Sequence, residues 1–151
     1  MKLAEALAER SDCQVRLEQL KTRLVRSARV QEGEAPAENI EELLAEAARL
    51  FARLEELMTA INRTNARTAF DSKRTISDAI TVRDLAAKRR DMLAALADAA
   101  STRQDRYSKS EVKFVATVSV AALQKEVDSL SKLYRETDTR LQELNWNTEL
   151  V

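Results

Sequence analysis

One glycine and one proline serve a chain of 151 residues, and both fall inside the ten-residue stretch VQEGEAPAEN, as Gly33 and Pro36. Glycine supplies the left-handed backbone that tight turns use, and proline stops a helix. A chain that has spent both in one place has few other sites for sharp reversals. It is pushed toward long helices joined by a small number of polar breaks. The rest of the composition agrees: 44% of residues are hydrophobic, 33% charged and 4% aromatic, the profile of long helices or coiled coil. Abundant apolar residues with a formal net charge of zero exclude a disordered chain. The same zero balance gives no strong nucleic-acid signal, since coating nucleic acid calls for a basic excess.

The hydrophobic spacing predicts four helices. The first spans about residues 2–28, where Leu3, Ala6, Cys13, Leu17, Leu20 and Leu24 alternate in steps of three and four around Arg10. Arg10 interrupts this heptad seam, either covering apolar surface with its stem or pairing with an acid. The second spans residues 40–67. Its seam, from Ile40 through Leu50 and Leu57 to Thr64, is unbroken, and Leu44, Phe51 and Met58 add a parallel stripe seven apart. So wide an apolar face suits a bundle with two neighbours. Asn39 with Glu42, and Thr75 with Asp78, have the spacing of helix N-caps.

The third helix, residues 76–101, carries two stripes. One is Val82, Leu85, Met92, Leu96 and Ala99; the other is Ile76, Ile80, Ala87, Ala94 and Ala97, interrupted by Arg83 and Arg90. The fourth, residues 120–145, keeps the rhythm from Val120 to Leu144. At a rise of 1.5 Å per residue these helices are roughly 40 Å long. The expected fold is therefore all-α, one domain over residues 1–151: a bundle of four long antiparallel helices. Two long hairpins that close only in an assembly are the competing arrangement.

Several chemistries are excluded. The chain has no histidine, which removes Ser-His-Asp and Cys-His catalysis and His-based metal sites. Gly33 alone cannot build a phosphate-binding loop. Cys13 is the sole cysteine, so no intramolecular disulfide forms, and a reduced, cytoplasmic setting fits. The opening MKLAEALAER lacks the apolar run of a signal peptide, and no window reads as a transmembrane helix. No catalytic residue, cofactor or metal ligand is expected.

Between the third and fourth helices lies RQDRYSKSEVKFV. From Glu111 the residues alternate, with Val112, Phe114, Ala116 and Val118 on one side, which predicts a short β-like insertion over about residues 111–118. A lone strand leaves its backbone unpaired. It would pair with residues 103–109, with the tail at 147–151 or with another subunit; the alternative is a linker with Phe114 tucked onto the bundle. Arg103, Arg106, Tyr107, Lys109, Glu111, Lys113 and Phe114 form the candidate interaction segment. Base and aromatic mix there as at a phosphate or nucleic-acid site, but Asp105 and Glu111 dilute the charge and favour a solvated loop or an intersubunit ion-pair network.

Two further groups carry competing readings. The acids Glu38, Glu41, Glu42 and Glu46, with Glu55 and Glu56, have the helical spacing of a magnesium site, but first-turn glutamates also stabilise helices. Asn62 and Asn65 in INRTN are either a frayed helix end or a buried amide that fixes register. Cys13 reads as a small core residue, and Trp146 as an anchor for the last turn.

The stretches MKLAEAL, VQEGEAP, INRTN, RYSKSEVKF, LQKEVDSL and DTRLQELNWNTEL together resemble the septicolysin-like family of small bacterial helical proteins of unknown function. The resemblance covers nearly the whole length, implies no active-site residues, and by its label implies a membrane-active protein. The residues themselves point to a non-enzymatic cytoplasmic structural or interaction protein that forms a homo-oligomer. A magnesium-dependent nucleotide hydrolase built on helical carboxylates, and a membrane-active helical protein, are the alternatives.

Overall fold

The structure, a computed structural model, describes residues 1–102 and 112–151. It is all-α. Four helices follow in order: α1 (Leu3–Arg26), α2 (Ile40–Arg67), α3 (Ile76–Ser101) and α4 (Val120–Asn147). The residues gather in two compact units, one of Met1–Ala69 with Gln142–Val151, the other of Phe70–Leu141.

In the first unit α1 and α2 form an antiparallel hairpin around the loop that holds the glycine and proline. Gly33 is at φ +88°, the left-handed conformation only glycine adopts freely. Asn39 caps α2, its Oδ1 accepting from the Glu41 and Glu42 amides at 3.0 and 3.2 Å. Buried residues repeat with a period of seven on both helices: Ala6, Cys13 and Leu20 on α1, continued by its C-cap Ser27, and Leu43, Leu50, Leu57 and Thr64 on α2. Burying a leucine of this kind contributes roughly 1.5–3 kcal/mol. Leu54, in the middle of the same seam, is only half-buried.

Ion pairs keep the same beat along the hairpin. Arg53 donates to Glu9 through Nε and Nη2 at 2.7 and 2.9 Å, Arg16 to Glu46 at 3.3 Å, and Arg23 to Glu38 through Nε at 3.0 Å. The α1 members stand seven apart, at 9, 16 and 23.

The chain ends close this unit. Lys2 and Glu149 form an antiparallel bridge. The Leu3 amide donates to the Thr148 carbonyl and the Leu150 amide to the Met1 carbonyl, each at 2.9 Å. Glu149 also ion-pairs with Lys2 and with the Met1 ammonium. The Val151 amide donates to Oγ1 of the fully buried Thr64, whose hydroxyl in turn donates to the Ala60 carbonyl.

The second unit opens with a turn built without glycine or proline. Asp71 Oδ1 accepts from the Lys73 and Arg74 amides, and Oδ2 from the Arg74 guanidinium, which lies 5.2 Å over the Phe70 ring. Thr75 and Asp78 then form a reciprocal capping box at the start of α3. Helices α3 and α4 run antiparallel: Arg83 donates to Asp138 at 2.9 Å, while Arg89, further along α3, pairs with Glu126, earlier on α4.

Here the structure corrects two expectations. Of the first stripe on α3, only Val82 is half-buried; Leu85, Met92, Leu96 and Ala99 are exposed. The buried seam is Ile76, Ala79, Ala86 and Ala97, with Arg83 and Arg90 on the same line. Alanines let the helices approach closely, and arginine stems cover the seam while their heads reach Asp138 and the Tyr134 ring. The second correction concerns the β-like insertion. Residues 112–118 are irregular, and no strand occurs among the described residues. Alternation alone does not make a strand without a backbone to pair with, and the tail that was a candidate partner pairs with residues 1–3 instead.

Candidate interaction surface

Three of the carboxylates that had the spacing of a metal site are paired with arginines. Glu38 is bound to Arg23 and Glu46 to Arg16, while Glu56 pairs with Arg53. The hydrogen bonds from Arg23 hold Glu38 below the usual carboxylate range, and those from Arg53 do the same for Glu9. Among the described residues no cluster of acids and thiols could hold a metal ion.

What the fold leaves open is apolar. α2 has two heptad rows one residue apart. The row at 43, 50, 57 and 64 is buried, whereas Leu44, Phe51 and Met58 are 53%, 61% and 42% exposed. Buried burden thus falls on one row and its twin meets water. On α3 the same holds for Leu85, Met92 and Leu96. Near the C-terminal end of α3, Leu96, Ala99 and Ala100 line a shallow groove with Phe114, Val115 and Val118. Phe114 and Val115 are 81% and 82% exposed, so Phe114 is not tucked onto the helices. Scattered single apolar residues are ordinary on a surface, but rows of them are the mark of an interaction site.

Of the expected interaction segment, Lys113 and Phe114 are described and exposed; Arg103, Arg106, Tyr107, Lys109 and Glu111 lie outside the described residues. Asn62 is exposed and Asn65 half-buried, so neither is a fully buried register amide. That position is taken by Thr64, read from sequence only as a seam residue. Nothing in the sequence marks its bond to the Val151 amide, which joins residues far apart in the chain. Cys13 is buried, as a small core residue should be. Trp146 is 64% exposed and does not anchor the last turn by burial. No helix among the described residues is long and apolar enough to cross a membrane.

Comparison with known proteins gives a consistent result. The pattern of a family of unknown function (DUF6847) matches residues 10–150. A crystal structure described as a functionally unknown conserved protein from Corynebacterium diphtheriae superimposes with a TM-score of 0.95 at 46% sequence identity, covering 100% of this chain and 99% of that one. No curated protein matches. Neither match carries the septicolysin-like label.

Proposed function

The chain belongs to the DUF6847 family of unknown function, and we propose that it is a non-enzymatic helical protein that works by self-association in the cytoplasm. The observation that carries this reading is the exposed row Leu44, Phe51 and Met58, periodic in the same way as the buried row beside it. A helix that repeats its packing period on a second, open row is built for a second neighbour. A net charge of zero puts no long-range repulsion in the way of like copies meeting. The groove at the end of α3, which Phe114 lines, and the candidate segment Arg103, Arg106, Tyr107, Lys109, Glu111 and Lys113 are a further contact region in this reading.

Light scattering at micromolar concentration tests it: a mass of at least two chains is expected, and a monomer throughout that range sinks it. The two competing readings predict different results. A magnesium-dependent hydrolase would melt higher with magnesium and turn over a nucleotide, with loss in Glu41→Gln/Glu42→Gln. A membrane-active protein would release dye from lipid vesicles. The pairing of Glu38 and Glu46 with arginines weighs against the hydrolase, and the vesicle assay decides the membrane-active reading.

A further inference from the structure

We propose that two copies of this chain pair through α2, antiparallel, about a two-fold axis passing at Phe51. The inference rests on the self-association reading and specifies the surface and the register. Three observations support it.

The first is the spacing. Leu44, Ala48, Phe51, Glu55 and Met58 follow one another in steps of four, three, four and three, the steps that hold side chains on one line of a helix. Phe51 is the largest and most exposed of the three apolar members and stands at the midpoint of the row. A self-complementary interface must look the same from both copies. An antiparallel pairing centred at Phe51 sets Leu44 of one copy against Met58 of the other, and Phe51 against itself.

The second is charge. In this register residue 63 lies opposite residue 39, because both are twelve positions from 51. Arg63 of one copy is thereby within a turn of Glu41 of the other, and the symmetry makes the pair twice. Both residues are exposed and lie on the same flank of the row, the geometry in which antiparallel helices bring like flanks together. Neither forms an ion pair within the chain among the described residues, whereas Glu38 and Glu46 are taken by α1. A parallel pairing sets Glu41 level with Glu41 and Arg63 level with Arg63, and makes neither contact.

The third is size. Ala48 lies inside the row, next to Phe51, and Glu55 faces Ala47 and Ala48 of the other copy. The aromatic ring has room beside small residues, and no like charges are forced together.

Single cysteines read the register directly, with the buried Cys13 replaced by alanine. A short thiol cross-linker should join Phe51→Cys to itself. Leu44→Cys alone and Met58→Cys alone should give little product, and a mixture of the two should give the mixed dimer. Glu41→Arg should raise the dimer dissociation constant about tenfold, and adding Arg63→Glu should bring it back. Cross-linking of all three variants to themselves would overturn the antiparallel register. A wild type that is an oligomer by light scattering, with no cross-link at 51 and no weakening in Phe51→Glu, would overturn the α2 interface and leave self-association standing. A monomeric wild type would overturn both.

Discussion

Arg10 sits on the α1 seam between Ala6 and Cys13, both buried, and its Nε is buried with no hydrogen-bond partner among the described residues. Its place on the seam was legible from the three-four spacing, and its two fates, pairing or covering, were not separable there. The Nε takes the second. A buried donor without a partner costs about 1–3 kcal/mol, while an apolar replacement of similar shape removes that cost. Arg10→Met should therefore leave the protein as stable as wild type or about 1 kcal/mol more stable in urea unfolding. A loss of more than about 1 kcal/mol would mean that the guanidinium holds a partner in solution. Thr64 is the opposite case. It is a polar residue at a core position whose hydroxyl is used both as donor and as acceptor, so burial there is compatible with its chemistry.

At the scale of the element, periodicity named the seams of α1, α2 and α4, because large aliphatic side chains repeat there without competition. On α3 the larger residues, Leu85, Met92 and Leu96, form the exposed row, and alanines form the buried one. The sequence offers both rows; the one with Ile76, Ala94 and Ala97 turns inward because close approach of two helices selects small residues, and the row of larger residues stays open. Strand pairing was illegible for a different reason: alternation describes one chain segment, whereas a strand depends on a second backbone that the local pattern does not specify. The ion-pair series between α1 and α2 leads to a measurable pH effect. Glu9 and Glu38 are held below the usual 4.5 by Arg53 and Arg23. On acidification the unfolded chain takes up these protons first, so the stabilisation is complete above about pH 6 and is lost as pH falls through and below the ordinary carboxylate value. Thermal midpoints by circular dichroism should be level from about pH 8 to 6 and drop below about 4.5. Glu38→Gln should flatten part of that drop. The pairs are half-exposed, so the effect should also shrink in high salt.

At the scale of the molecule, the four helices followed from where glycine, proline and the capping residues Asn39 and Thr75 stand. The open surface followed less well: Leu44, Phe51 and Met58 were recognised as a second apolar row, but only burial shows that no described part of the chain covers it. The least legible feature was the meeting of residues 1–3 with 148–150, made largely by backbone groups that every sequence possesses. That meeting has a topological consequence. Because Lys2 and Glu149 are bridged neighbours, the order of the helices is not fixed by the fold. Residue 151 could be joined to residue 1 by a short flexible linker and the chain reopened beside Gly33, so that α1 follows α4. Such a circular permutant should fold to the same helical content and keep its Lys2–Glu149 bridge. It should refold more slowly, because the α1–α2 hairpin, local in the natural order, becomes the longest-range contact in the permuted one. Stopped-flow refolding of the two forms would measure the difference, and equal rates would show that this hairpin is not formed in the rate-limiting step.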